Sequence, residues 1–167
     1  MPGPEERRPP RDAEARALAS ALRLRILRLT LDEALTNKEI ADRLGRNPAT
    51  VLHHVRTLVG AGFLQAQDRV VRDGARHVPY RSTGRSWQLS TPAAAPAILQ
   101  AYLDEVAGVP AEQLDVSRLG LRLDDAGRAE LGERLQALLD EFAARAPDPE
   151  GRPWSVFLSV HPDPGRP

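Results

Sequence analysis

His53 and His54 stand side by side in the run Asn47-Pro48-Ala49-Thr50-Val51-Leu52-His53-His54-Val55-Arg56-Thr57-Leu58. They are two of only four histidines in a chain of 167 residues that has no cysteine. Neighbouring positions on a helix point about 100° apart, so the two rings are badly placed to close on one metal ion. What such imidazoles can do is donate hydrogen bonds to phosphate oxygens or to acceptors on base edges. Thr50 offers a hydroxyl and a methyl suited to thymine, and Arg46 and Arg56 can anchor a phosphate backbone at the flanks.

Other chemistry is thinly represented. The absence of cysteine removes disulfides, thiolate metal sites and thiol redox sensing. His77 and His161 have no ligand-type partner four residues away, and a site built from His161 with Asp104 or Asp140 is not expected. Asp124 and Asp125 resemble a carboxylate pair, but capping a helix and complementing its dipole accounts for them. Trp87, Trp154, Tyr102 and Phe142 could line an effector pocket, and plain core is the simpler reading. There is no Gly-x-Ser-x-Gly elbow, phosphate-cradling glycine loop or His-Glu-x-x-His. The expectation is therefore a protein with no catalytic residue, no cofactor and no metal, and not an enzyme.

The elements needed to present the histidine run are written around it. Ala13 to Leu31 contains neither proline nor glycine. Leu18, Leu22, Ile26 and Leu29 form one helical stripe, and Leu24, Leu27 and Leu31 a second, so one helix covered on two sides is predicted. Thr36-Asn37-Lys38-Glu39 has the capping-box pattern, Ile40, Ala41 and Leu44 face inward, and Gly45 ends the helix in the left-handed conformation. Asn47 then caps a further helix with Pro48 in its first position. If Val51, Val55 and Leu58 point into a core, Ala49, Thr50, His53, His54 and Thr57 turn to the outer face. Two short helices so close together are a helix-turn-helix arrangement.

Phe63 to Arg72 and His77 to Thr83 read as two strands around the turn dipeptide Asp73-Gly74, with Pro79 demoting the second to an edge strand. Arg69, Arg72, Arg76 and Arg81 surround the tip, giving a basic wing. Beyond Ser90, a helix around Ile98 to Val106 is followed by alternation at Arg118 to Leu123, read as a half-buried strand, a long helix from about Asp125 to Ala146, and a second alternating strand at Trp154 to Val160. The expected fold class is α+β, mainly α: a winged helix-turn-helix domain followed by a small helix-strand-helix-strand C-terminal domain. Its divisions are a disordered arm at 1–12, the DNA-binding domain at 13–90, a linker at 91–96, a dimerisation or effector domain at 97–162 and a tail at 163–167.

Net charge is zero overall but divides sharply. Residues 1–90 carry 16 Lys and Arg against 10 Asp and Glu, a net +6, which leaves −6 on residues 91–167. Only the basic half is suited to a polyanion. No apolar run approaches the roughly 18 residues of a membrane span, and the polar, proline-rich start has no signal-peptide core. A cytoplasmic protein without membrane contact is expected.

The segments Ala19-Ser20-Ala21-Leu22-Arg23-Leu24-Arg25-Ile26-Leu27, Glu39-Ile40-Ala41, Pro48 to Val55 and Ala61-Gly62-Phe63-Leu64 occur in the order found in ArsR-type winged-helix regulators of bacteria, which this chain resembles over roughly residues 13–90. Residues from about Leu114 to Val160 are similar to the C-terminal extension of an actinobacterial subgroup. The resemblance implies a homodimer whose two recognition helices enter successive major grooves of a pseudo-palindromic site, usually as a repressor released by an effector. Leu52 stands where that family commonly has serine, and the cysteines of its metal-sensing members are absent. The residues expected on double-stranded DNA are Arg46, Ala49, Thr50, His53, His54, Arg56 and Thr57 from the helix and Arg69, Arg72 and Arg76 from the wing. A small-molecule effector of unknown identity is left open. The competing reading is a winged-helix protein-interaction module, for which Leu52 on an outer face would suit.

Overall fold

The computed structural model describes residues 7–72 and 74–165. The chain divides into two compact units, Glu5–Val109 and one built on Pro110–Pro167. No helix among the described residues is long and apolar enough to cross a membrane.

The first unit opens with α1 (Asp12–Leu18) and α2 (Ala21–Leu29), where the sequence suggested one continuous helix. Ser20 is the break: it is extended, with φ −151° and ψ 121°, and it heads a new helix. The apolar pattern ran through this break because both helices bury their stripes in the same core. Leu18, Ile26 and Leu27 are buried, while Leu22, Leu24 and Leu29 pack at its margin.

A two-residue strand, β1 (Leu35–Thr36), leads into α3 (Asn37–Leu44). The Thr36 hydroxyl accepts the Glu39 N–H at 3.3 Å, and Glu39 returns the favour by accepting the Thr36 N–H at 2.8 Å, so the capping box forms as its sequence requires. Gly45 closes the helix at φ +60°, a conformation that costs any side chain with a Cβ. Asn47 caps α4 (Pro48–Gly60) by accepting the Ala49 N–H at 2.8 Å. Val51, Val55 and Leu58 are completely buried, fixing which face of α4 looks inward.

The sheet has more pieces than expected. β2 (Leu64–Ala66) and β5 (Pro79–Ser82) pair antiparallel, and β1 joins on the far side of β5, giving the order β1-β5-β2. β3 (Val70–Arg72) and β4 (Ala75–His77) form the separate wing hairpin. Pro79 therefore lies on the central strand, which corrects the edge-strand expectation. It is tolerated because it is the first residue of β5, where its missing N–H interrupts no inner rung of the ladder, and its carbonyl still accepts the Gln67 N–H at 2.8 Å. Of the predicted hairpin turn, Asp73 lies outside the described residues, and Gly74 has φ +72°.

After the wing, the chain does not run free. Ala94 is buried, in a short 3₁₀ turn at Pro92–Ala94, and α5 (Ala95–Val106) then packs along α2. Arg28 and Glu105 approach to 3.6 Å across this contact, and Arg25 and Asp104 to 3.9 Å.

Residues 7–11, part of the expected disordered arm, are anchored. Glu14 on α1 is 2% exposed, and Arg8 grips both its carboxylate oxygens at 2.7 and 2.9 Å. Arg11 adds its backbone N–H and its guanidinium, each at 2.9 Å. These bonds, with Arg8 foremost, hold the Glu14 carboxyl far below the usual carboxylate range. The Arg8 carbonyl also accepts the Ser90 N–H at 2.9 Å, and the Arg7 guanidinium lies 4.1 Å over the Trp87 ring. Residues 1–6 of the expected arm lie outside the described residues.

In the second unit, α6 (Asp125–Ala143) is capped by Asp124, whose side chain accepts the Gly127 N–H at 2.8 Å. This is the structural role expected of that carboxylate. The strands predicted at 118–123 and 154–160 do not form: no strand pairing occurs among described residues 110–165. Alternation can make a strand only where a neighbouring backbone supplies the ladder, and these two segments do not supply it to each other. None of the described residues 110–165 is buried, and Leu119, Trp154 and Val156 are 79%, 81% and 75% exposed. Trp154 is thus not core, and Trp87, 44% exposed beneath Arg7, is surface as well.

Candidate nucleic-acid interface

α4 carries most of the predicted site on one side. Ala49, Thr50, His53 and Arg56 are exposed, and His54 and Thr57 are half-buried at the margin of that face. This follows from 3.6-residue periodicity once Val51, Val55 and Leu58 are committed to the core. The Thr57 hydroxyl donates to the His53 carbonyl at 3.1 Å, so the hydroxyl proton is spent on its own helix while its oxygen can still accept. His53 and His54 meet edge to face, with ring centroids 5.6 Å apart and planes at 72°. Leu52 is half-buried rather than fully outward.

The helix is held from its N-terminal end. Asn37, first residue of α3, donates from Nδ2 to the Pro48 carbonyl at 2.9 Å and so ties the starts of α3 and α4 together. Lys38 is paired with Asp42 at 2.9 Å and Arg43 with Glu33, which neutralises the cations on α3. Arg46, in the turn between the helices, is exposed, and its N–H donates to the Ala41 carbonyl at 2.9 Å. In α4 and the turn before it, the cations are Arg46 and Arg56, both exposed.

The wing adds Arg69 just before β3, Arg72 at its end and Arg76 in β4. Arg69 and Arg76 are exposed; the side chain of Arg72 lies outside the described residues. The register pairs Val71 with Arg76, which puts an apolar and a cationic side chain on the same face of the ribbon. Val71 is 70% exposed and was not singled out by the sequence. Arg81, on β5, is exposed and belongs to the sheet below the tip.

Sequence reasoning missed a second layer. Arg23, third residue of α2, donates from Nε to the Ala17 carbonyl at 2.6 Å, from Nη2 to the Arg16 carbonyl at 2.7 Å, and from Nη1 to His54 Nδ1 at 3.4 Å. Burial first, then the neighbouring Arg23 and His53, push the His54 imidazole below its ordinary pKa. No local signal announces Arg23, because its partner on α4 lies 31 positions away. No group of three or more metal-ligating side chains occurs among the described residues.

Residues 18–65 match the helix-turn-helix domain family. Among solved structures, reduced HlyU from Vibrio cholerae is 25% identical, covering 55% of this chain and 84% of that one at a TM-score of 0.37. A homodimeric winged helix-turn-helix DNA-binding domain from Mycobacterium bovis, a candidate ArsR-family transcriptional regulator, is 25% identical over 57% of this chain and 81% of that one, TM-score 0.36. Apo ZitR from Lactococcus lactis is 23% identical over 77% and 86%, TM-score 0.35. No curated protein matches the chain. Residues 18–65 are a helix-turn-helix domain, and the β3–β4 hairpin that follows makes the first unit a winged helix-turn-helix.

Proposed function

We propose that this chain is a sequence-specific DNA-binding transcriptional regulator of the ArsR type, acting in the cytoplasm as a homodimeric repressor on a pseudo-palindromic operator. The observation that carries the reading is α4 itself: a completely buried Val51-Val55-Leu58 stripe backs a face on which Ala49, Thr50, His53, His54, Arg56 and Thr57 stand at or near the surface. An α-helix of this kind fits the major groove, and a basic hairpin after it can reach the adjoining backbone. Arg46, Arg69, Arg72 and Arg76 are assigned to phosphates, and the threonine and histidines to base edges or nearby phosphates.

The homodimer is supported by α5. Its inner side lies on α2, while Ile98, Leu99 and Leu103 remain 37%, 47% and 49% exposed on one surface helix. Covering that face with its symmetry mate gives an isologous contact and two copies of α4 related by a two-fold axis, as a pseudo-palindromic site requires.

The test is fluorescence anisotropy of the full chain with duplex from immediately upstream of its own gene and with a shuffled duplex, at two salt concentrations. Binding at least about 10³-fold tighter to the first duplex supports the reading. Arg76→Ala should then weaken both interactions and lower the salt slope by about one. Weak, equal binding lost with salt leaves only a basic surface and favours a protein-interaction module.

A further inference from the structure

We infer that Arg23 is a positioning residue for the recognition helix: it locks His54 as the neutral tautomer with its proton on Nε2, presenting a fixed hydrogen-bond donor to an acceptor on DNA. The inference rests on the DNA-binding reading of α4.

A histidine tautomer is ordinarily ambiguous, since either ring nitrogen can donate. Here the partner removes the ambiguity. A guanidinium has no acceptor and does not lose its proton, so in the 3.4 Å contact between Arg23 Nη1 and His54 Nδ1 the histidine nitrogen must supply the lone pair. A neutral ring accepting at Nδ1 carries its proton on Nε2. Protonating Nδ1 would set two donors and two positive charges against each other.

Arg23 cannot easily swing away to relieve that. Its Nε and Nη2 are spent on the Ala17 and Arg16 carbonyls, at 2.6 and 2.7 Å, which lie in the last turn of α1 and have lost their helical partners to the break at Ser20. The guanidinium is thus a planar fork with two tines fixed in α1 and the third aimed at α4. Lysine could not reproduce this, because its ammonium is a point charge without the fork. The helix break that sequence periodicity overlooked is what frees these carbonyls for Arg23.

The consequence for recognition is directional. An Nε2–H can donate to a phosphate oxygen, a purine N7, guanine O6 or thymine O4, but cannot accept from the amino groups of adenine or cytosine. His54 would therefore select acceptors and contribute no positive charge, unlike Arg46 or Arg56.

Long-range ¹⁵N–¹H correlation of the histidine side chains in the full, DNA-free chain reads the tautomer directly. Near about pH 7.5 the wild type should show His54 with Nδ1 unprotonated and Nε2 protonated, and Arg23→Met should turn it into a mixture of tautomers. Thermal melting selects conditions in which Arg23→Met is folded, and Arg23→Lys provides a second variant that keeps charge without the fork. In anisotropy on the preferred duplex, Arg23→Met and His54→Ala should each weaken binding about tenfold, and the double variant little further, because the two act as one unit. Methylphosphonate linkages and 7-deazapurines in the duplex separate a phosphate acceptor from a purine N7. A protonated Nδ1 in the wild type, or additive losses in the double variant, overturns the inference. If the tautomer is as stated but no duplex is bound specifically, the DNA-binding reading fails, and with it the role of His54 as a donor to DNA, while the Arg23 lock itself stands.

Discussion

Replacing Glu14 by glutamine tests how the N-terminal residues are held to the winged-helix unit. The carboxylate, 2% exposed, receives Arg8 through two bonds at 2.7 and 2.9 Å and Arg11 through two more at 2.9 Å. Glutamine keeps one oxygen but sets an amide donor against guanidinium donors. Charge-assisted hydrogen bonds contribute roughly 1.5–3 kcal/mol each when shielded, and exposed ion pairs much less. The Arg8 and Arg11 side chains are 44% and 72% exposed, so the arginines left behind recover water and the cost lies well below the sum. A net loss of about 2 kcal/mol is expected, or a fall in melting temperature of about 10 °C for a unit of this size. Urea unfolding by circular dichroism measures the first quantity and calorimetry the second.

The pH dependence supplies an internal control on that value. Because the native carboxyl titrates well below its unfolded counterpart, its stabilisation is complete above about pH 4.3 and is lost progressively as pH falls below that. The gap between wild type and Glu14→Gln should therefore narrow as pH falls from 6 towards about 3. Trypsin should also cut the Arg11-Asp12 bond faster in the variant, since Arg11 is released from Glu14. A difference under about 0.5 kcal/mol at neutral pH, or a gap that widens on acidification, would refute the reasoning.

Leu58→Ala removes a completely buried side chain behind α4 and should cost about 2–5 kcal/mol in urea unfolding, with DNA binding recovered where the variant is folded. Thr36→Ala deletes one half of the capping box and should cost about 1 kcal/mol, seen as a lower urea midpoint at unchanged slope. Leu99→Glu with Leu103→Glu places two charges on the exposed face of α5. Sedimentation velocity should show dimer giving way to monomer, and a dimer that persists would move the interface elsewhere.

Short-range features were legible because each is closed by neighbours within four residues. The Thr36–Glu39 box, the Gly45 stop, the Asn47-Pro48 start and the Val51-Val55-Leu58 stripe all have their physical cause inside one helix turn or its end. The outer face of α4, and with it most of the candidate site, followed by subtraction. The register of the wing was partly legible, through Gly74 and the arginines around it.

Tertiary structure decided whatever depends on a partner distant in sequence. The periodicity of Ala13 to Leu31 could not reveal the break at Ser20, because helices on either side of it bury compatible stripes in one core. It could not give Pro79 a central strand, which required β1, two residues long, to arrive from before α3. Alternation at 118–123 and 154–160 describes a side-chain pattern, whereas a strand also needs a second backbone in register, and these segments are not paired among the described residues. Arg8, Arg11 and Glu14 are close in sequence, yet their anchorage is tertiary because it also engages Ser90 and packs beside Trp87. Sequence alone determined which residues α4 turns outward, since helical geometry is local; only the folded chain determined what stands behind them, since hydrogen bonds such as that from Arg23 to His54 join residues 31 positions apart.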